Sequence, residues 1–297
     1  MKFKSIIFIA LALILAVRGY FELTDDFRIS NIVYPLKERE EWNFPLSFEE
    51  QRDLEDILDQ KFYYLGKGAQ VYAFGSEDGK YVLKFFKFKH LKPSFFIQLL
   101  PPIGPLTEIK EKNVSRKLRK LEGVFEGHVL AYTHDKENSG LLYLHLNPTS
   151  GPELKTRLID KIGYEREVDL NPIVFVLQRR GETLRTVFNE LFSKGERELA
   201  AIRAGQILDM YMKEYKKGVW DRDHGISHNT GFIGSTPFHL DVGKMSYDAN
   251  LQEKFYQEDL RHVARKINTW VKENYPNEYE EFHRSLEKHL HKLLQPI

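Results

Sequence analysis

The sequence predicts a two-lobed α+β fold, in which an antiparallel sheet from the first half of the chain is followed by a mainly helical second half. Three observations predict it. Runs rich in β-branched and aromatic residues, bounded by turn residues, gather before residue 178, over 65–74, 81–86, 140–146, 157–162 and 173–177. Beyond it, apolar residues recur at helical spacing over 183–192, 196–217, 251–271 and 279–294. A chain of 297 residues, 42% of them hydrophobic, is long enough to bury a sizeable core.

Residues 1–23 open with Lys2 and Lys4, run apolar from Ile6 to Val17, then meet Arg18 and Gly19. As a helix those twelve apolar residues reach about 18 Å, short of a hydrocarbon core of roughly 30 Å. That length suits the apolar region of a signal peptide, with Val17-Arg18-Gly19 as a small-residue cleavage site. The alternatives are a short membrane anchor continuing through Tyr20 and Phe21 and a buried N-terminal helix; the lysines favour a cytoplasmic N-terminus and an exported domain. The expected localisation is therefore exported or membrane-anchored, with attachment through residues 5–21.

Residues 24–60 read as a linker and a leading helix. The span 24–43 is charged and without period, whereas Ser47 and Glu50 form a capping-box pattern ahead of Leu54, Ile57 and Leu58 at helical spacing. Residues 61–178 then form the sheet-rich lobe and 179–297 the helical one.

Within the first lobe, Gly66 and Gly68 precede a strand, and a Ser-Glu-Asp-Gly turn leads to a second strand carrying Lys84. A Gly-x-Gly ahead of a strand is common, and a strand lysine usually faces solvent, so neither residue carries meaning alone. Residues 87–106, with His90, Pro93, Pro101, Pro102 and Pro105, read as an insertion serving as a lid or partner surface, since prolines forbid one continuous helix. The stretch 107–135 is helix-forming, with Gly123 and Gly127 as weak points and Glu111, Glu122 and Glu126 along it.

Lys plus Arg (44) nearly cancels Asp plus Glu (43), so no long-range field draws the chain to nucleic acid, and no nucleic-acid partner is expected. The absence of cysteine excludes disulfides, thiolate catalysis and cysteine zinc sites, and leaves the redox compartment open.

Residues 218–244 carry the chemistry. Asp221 and Asp223 follow a short apolar beginning, Asn229 lies in a loop, and a strand-like run 230–233, a Gly-Ser-Thr-Pro turn and a second run 238–240 deliver Asp241 before Val242 and Gly243. Phosphoryl transfer needs an Asp to orient or deprotonate the attacking hydroxyl, and an Asn and a second Asp to hold magnesium. Mg²⁺ prefers oxygen ligands and takes one or two carboxylates from a protein.

This stretch resembles the catalytic and metal-binding loops of the protein-kinase-like superfamily. The resemblance implies Asp223 as the catalytic Asp, with Asp221 as second choice, Asn229 and Asp241 as the metal-binding pair, and Asp241-Val242-Gly243 in place of Asp-Phe-Gly. Asn229 lies six positions after Asp223, where the kinase pattern has five, so one residue must bulge. Upstream, Gly66 and Gly68 resemble the glycine-rich loop over the phosphates, and Lys84 the strand lysine that contacts them. Some 54 residues follow Asp241-Val242-Gly243, with no Ala-Pro-Glu, so the chain is similar to the compact atypical branch: lipopolysaccharide-core, RIO-type and aminoglycoside kinases. The resemblance covers residues 61–297. It implies ATP and Mg²⁺ as cofactors and a hydroxyl acceptor on a protein, sugar or lipid headgroup; the alternative is an exported pseudokinase, a nucleotide-binding or protein-interaction module without turnover.

The sequence also carries two rival constellations. His224, His228 and His239 beside Asp221 and Asp223 offer metal-binding residue types, but Gly225 disfavours the helix that would align the first two. Ser227 and Ser235 lack the Gly-x-Ser-x-Gly setting that exposes a hydrolase nucleophile.

Overall fold

Bulky apolar side chains in short alternating or continuous runs build a seven-stranded sheet in the first of two units. The computed structural model describes residues 2–89, 104–149 and 154–295. One unit comprises Met1–Leu118 and Tyr143–Gln178, the other Arg119–Leu142 and Arg179–Ile297. The α+β class read from the sequence is the class observed, with an antiparallel-rich sheet in the first unit and mainly helices in the second.

The strands are β1 (Lys61–Lys67), β2 (Val71–Ser76), β3 (Tyr81–Phe86), β4 (Leu141–His145), β5 (Lys155–Ile159), β6 (Glu165–Asp169) and β7 (Phe175–Arg179). Their order across the sheet is β4-β7-β3-β2-β1-β5-β6. β1, β2 and β3 form an antiparallel meander, whereas β1 and β5 run parallel. Five strands were expected. β1 was hidden because residues 47–62 read as one helix, and β6 because Glu165, Arg166 and Glu167 leave Val168 as its buried member. Helix α2 (Phe48–Leu58) stops four residues short of that expectation, and its start carries the predicted capping box, Glu50 N–H to Ser47 Oγ and Ser47 N–H to Glu50 Oε2.

The sheet's core is aromatic. Phe27, Phe62, Phe74, Phe85, Phe86, Phe88 and Phe175 are fully buried, and Phe27 meets Phe74 edge-on at 4.8 Å between ring centres. Residues 24–32 were expected as part of a linker. They are packed instead, with Thr24, Phe27 and Ile32 fully buried, because the aromatic cluster needs Phe27 to fill it.

Helix α1 (Lys2–Leu23) precedes them and runs longer than its apolar centre. Its 18-residue window Ile6–Leu23 has mean hydropathy 2.1 and no buried share. At 1.5 Å per residue it reaches about 27 Å, so one helix among the described residues is long and apolar enough to cross a membrane. Helix α3 (Gly104–His134) continues through Gly123 and Gly127 without a break. Residues 90–103, the body of the proline-interrupted insertion, lie outside the described residues.

The second unit packs α4 (Leu184–Ser193), α5 (Arg197–Lys216), α6 (Glu253–Asn274) and α7 (Tyr279–Leu293) around Phe188, Ile207, Leu208, Tyr211, Ile267 and Leu286. Each helix turns an apolar stripe inward, the pattern expected of helices that share one core. Two small sheets ride on this bundle: β8 (Glu182–Thr183) with β10 (Thr230–Ile233) and β11 (Thr236–His239), and β9 (Val219–Asp221) with β12 (Met245–Tyr247).

Candidate functional site

In the first unit, Gly66 and Gly68 stand at the β1–β2 turn. The ladder slips by one residue between Tyr64 and Gly66, and Gly68 N–H closes the turn on the Val71 carbonyl at 2.9 Å. Gly66 thus lies within β1 opposite Ala73 of β2, and Gly68 lies in the turn just beyond β1, so residues 65–74, read as one strand, are divided between two. Lys84 lies mid-way along β3, half-buried, opposite Ala73 of β2. Lys87 Nζ donates to the Gly68 carbonyl and lies 4.5 Å over the Tyr72 ring. Burial, and then the neighbouring Lys67, push the Lys87 ammonium down to about 8.

In the second unit, α5 ends at Lys216, and Gly218 turns the chain with φ +76°. A side chain at Gly218 would meet the Asp248 carbonyl at 2.4 Å, so the turn into β9 requires glycine. β9 and β12 pair Asp221 with Met245, which brings the residues just after Asp241-Val242-Gly243 beside the start of the loop. Asp221 is 2% exposed; its Oδ1 accepts the Asp223 N–H at 2.9 Å, and its Oδ2 has no hydrogen-bond partner among the described residues. The Asp223 side chain is 36% exposed, and its Oδ2 accepts Asn229 Nδ2 at 3.2 Å and Lys244 Nζ at 2.9 Å. Of the two aspartates, Asp223 is therefore the one that solvent and a substrate can reach.

Between Asp223 and Asn229 the chain passes through His224, held at φ +46°, and the helical turn Ile226–Asn229. Gly225 sits where a Cβ would strike Asn229 Nδ2 at 2.6 Å. His224 Nε2 reaches Asp259 Oδ2 at 2.9 Å, and the same oxygen accepts the Tyr215 hydroxyl at 2.6 Å, which ties the loop to α5 and α6. A pocket of about 270 Å³ is lined by loop residues His224, Ser227 and His228 and by Lys266, Trp270 and Glu273 of α6.

β10 and β11 then fold back on each other with Thr230 opposite His239. Continuing that ladder, the Asn229 carbonyl accepts the Leu240 N–H at 2.7 Å and the Asp241 N–H at 3.4 Å. The hairpin register therefore brings Asn229 and Asp241, twelve positions apart in sequence, side by side. Asp241 Oδ1 accepts the Gly243 N–H at 3.0 Å, and Val242 is buried. Helix α3 presses on this turn: a Cβ at Gly127 would lie 2.6 Å from the Val242 carbonyl oxygen, and a Cβ at Gly243 would meet Val124 and His128.

Beneath the hairpin, His239 Nε2 lies 2.9 and 3.1 Å from the two carboxylate oxygens of the fully buried Glu214. Burial, the largest single influence, works against the imidazolium, but the charge and hydrogen bond of Glu214, with Asp221 and Asp135 adding to them, together push His239 up to about 9. Burial lifts Glu214 to about 7 against the opposing pull of His239. With His239 taken by Glu214 and His224 by Asp259, the histidines do not form a metal group, and no set of three or more metal-binding side chains occurs among the described residues.

Asn229 and Asp241 supply one amide oxygen and one carboxylate, an all-oxygen donor set that suits Mg²⁺ and not a softer ion. With Nδ2 donating to Asp223, the acceptor end of the Asn229 side chain is its carbonyl oxygen.

No family model matches this sequence, and no curated protein does. Among solved structures the chain is similar to WbdD. Over 77% of this chain and 44% of that one, the identity is 14% and the TM-score 0.37; WbdD is described as a bifunctional kinase-methyltransferase. A WbdD complex with the kinase inhibitor LY294002 matches at 14% identity and TM-score 0.36, over 76% of this chain and 44% of that chain. The Rv3197–erythromycin complex from Mycobacterium tuberculosis matches at 12% identity and TM-score 0.33, over 84% and 60%. This chain spans 44% of the length of the first WbdD structure it matches.

Three participants in the geometry escaped the sequence reading. Lys244 was invisible because its partner Asp223 lies 21 positions away. Glu214 is one polar residue on an otherwise apolar helix face, a signal that is legible once its burial is known. Gly127 reads as a helix weak point when the backbone it touches is unknown.

Proposed function

We propose that this chain is an ATP- and Mg²⁺-dependent phosphotransferase of the protein-kinase-like kind, acting on a hydroxyl acceptor. The observation that carries the reading is the Asp223–Asn229–Asp241 constellation: a reachable carboxylate bonded to an amide, which the hairpin register sets beside a second carboxylate.

Asp223 orients the acceptor hydroxyl and takes its proton. Asn229 and Asp241 would hold Mg²⁺, which would offset the negative charge of the phosphates. The resemblance assigns the phosphates to the Gly66–Gly68 stretch and gives Lys84 as the cation beside them. Lys244 pairs with the Asp223 carboxylate at 2.9 Å and keeps it oriented toward Asn229. The 270 Å³ pocket beside the loop is the place we assign to the acceptor, since Trp270 offers a stacking face and Lys266, His228 and Glu273 offer polar contacts. The module-without-turnover alternative is not favoured, because a scaffold has no need for a reachable carboxylate held against a metal-binding pair.

We read α1 as a retained membrane anchor. Its last turn belongs to the folded unit, with Arg166 Nη2 donating to Tyr20 Oη at 2.9 Å and the Arg28 guanidinium 3.9 Å over the Phe21 ring.

The test of the phosphotransferase reading is thermal unfolding of the full chain with ATP, with and without Mg²⁺. Stabilisation at a hundredfold excess over Kd amounts to about 2.7 kcal/mol, a rise of roughly 5–10 °C in Tm for a domain of this size. The rise is expected with both present and lost in EDTA. An unchanged Tm with every nucleoside triphosphate and metal combination would refute it.

A further inference from the structure

The junction between α1 and the sheet is unusually well bound. Asp25 and Asp26, both in the left-handed region at φ +52° and +61°, end the helix and turn the chain into the core. Asp25 receives Lys67 of β1 at 3.2 Å, Lys161 at 3.2 Å and the Tyr64 hydroxyl at 3.1 Å. Asp26 pairs with Arg28 at 2.6 Å and with Lys89, and its carbonyl accepts the Tyr72 hydroxyl at 3.0 Å and Asn31 Nδ2 at 2.8 Å. The exit of α1 is thereby locked to the β1–β2 turn and to the tip of the β5–β6 hairpin.

That hairpin tip has an odd composition for a solvent-facing turn. Ile162 is 49% exposed and Tyr164 is 60% exposed, on either side of Gly163 at φ +86°. Tyr164 carries Arg166 at 4.3 Å over its ring, and that same arginine bonds Tyr20 of α1, so the tip stands beside the helix exit. Basic side chains predominate around it: Arg28, Lys67, Lys87, Lys89, Lys161 and Arg166 outnumber Asp25, Asp26 and Asp160, while Arg18 and Glu22 of α1 cancel. An exposed aliphatic and an exposed tyrosine, ringed by lysines at the end of a membrane-length helix, form the residue set that settles at a bilayer surface.

We propose that this end of the first unit lies against an anionic lipid surface, with the Asp160–Tyr164 turn dipping into the headgroup layer beside α1. The proposal rests on α1 being an anchor. The fixed geometry of the junction then leaves the unit little freedom to swing away, so its β1–β2 and β5–β6 turns are carried at the membrane.

The chain has no cysteine, so single cysteines can be labelled cleanly. Full-length Ala12→Cys, Ile162→Cys and Lys80→Cys, each carrying an environment-sensitive fluorophore, are placed in phosphatidylglycerol-containing vesicles with nitroxide lipids. Lys80 closes the opposite end of β2, about 17 Å from the β1–β2 turn. The expected result is several-fold stronger quenching at Ala12 and Ile162 than at Lys80, with the Ile162 signal falling several-fold in phosphatidylcholine alone. Quenching at Ala12 with Ile162 no stronger than Lys80 overturns the docking and leaves the anchor standing. Absence of quenching at all three positions overturns both. A lipid-independent blue shift at Ile162 without quenching indicates a protein partner at this face and overturns the lipid assignment. Undiminished Ile162 quenching in phosphatidylcholine overturns the anionic requirement.

Discussion

Asn229 Nδ2 donates to Asp223 Oδ2 at 3.2 Å, and Lys244 Nζ reaches that same oxygen at 2.9 Å. One carboxylate is thus held between an amide and an ammonium while its neighbour Asp221 is buried with an oxygen that has no hydrogen-bond partner among the described residues. In Asp223→Asn the proton acceptor is lost but the size and the hydrogen bond are kept. Turnover is expected to fall by roughly 10²–10⁴-fold, the range for a lost general base, with the Mg²⁺–ATP rise in Tm preserved. Asp221→Asn, which keeps an oxygen for the Asp223 N–H, is expected to reduce turnover far less. Steady-state kinetics on both variants settles which aspartate acts, and the opposite ranking would transfer the role to Asp221.

Asp241 differs in kind, because its neighbour across the hairpin is the Asn229 backbone and its own Oδ1 receives Gly243 N–H at 3.0 Å. Asp241→Asn retains that acceptor while removing the charge. The variant is expected to fold with a wild-type Tm and to lose the Mg²⁺-dependent part of the nucleotide stabilisation. His239→Gln is expected to retain that part, since His239 faces Glu214. Loss of metal dependence in His239→Gln and not in Asp241→Asn would revive the histidine-metal alternative.

Gly127 shows how two physical effects of opposite sign are ranked. Alanine in a helix interior is favoured over glycine by about 1 kcal/mol. At this position, however, its methyl would lie 2.6 Å from the Val242 carbonyl and 2.7 Å from the Gly243 carbonyl carbon, both backbone atoms that cannot rotate away. Overpacking of this sort costs roughly 1–3 kcal/mol, so Gly127→Ala is expected to destabilise the fold and weaken magnesium-dependent binding together. Gly123→Ala on the same helix, where nothing lies within 4 Å, is expected to stabilise slightly. Chemical denaturation of the pair measures the contrast directly.

The sequence made the hairpin legible because its runs are local: Thr230–Ile233 lies where the pattern put it, while the second strand, expected over 238–240, runs Thr236–His239 because Thr236 and Pro237, read as turn, pair with Ile233 and Phe232. Helices α4 to α7 were legible for the same reason, as each carries its own apolar stripe. β1 was not, because Lys61 to Tyr64 continue a helical spacing and only pairing with β2 and β5 makes them a strand. Residues 24–32 looked like a linker since a single Phe27 among charges gives no periodic signal, yet that ring fills the sheet's aromatic core. At the site, the residue types were readable but not their ranking. Asp221 and Asp223 are equivalent as letters; burial of the first and exposure of the second come from β9 pairing with β12.

The Glu214–His239 pair makes folding depend on pH in a direction that can be worked out. His239 has an ordinary value of 6.5 and is pushed up to about 9 by Glu214 in the face of burial, and burial lifts Glu214 from 4.5 to about 7. Both folded-state values exceed the unfolded ones, so the native protein holds more protons than the unfolded chain across this window, and stability falls as pH rises through it. The His239 contribution is complete below pH 6.5 and is lost on approach to 9, where a neutral imidazole faces a buried carboxylate. The unfolding midpoint is therefore expected to drop between pH 7 and pH 9 in the wild type. In Glu214→Gln the charge that sustains the imidazolium is gone and burial dominates, so His239 is neutral throughout that interval and the slope flattens. Denaturation midpoints measured at matched ionic strength across the interval test this, and an equal slope in the two proteins would assign the pH dependence to other groups.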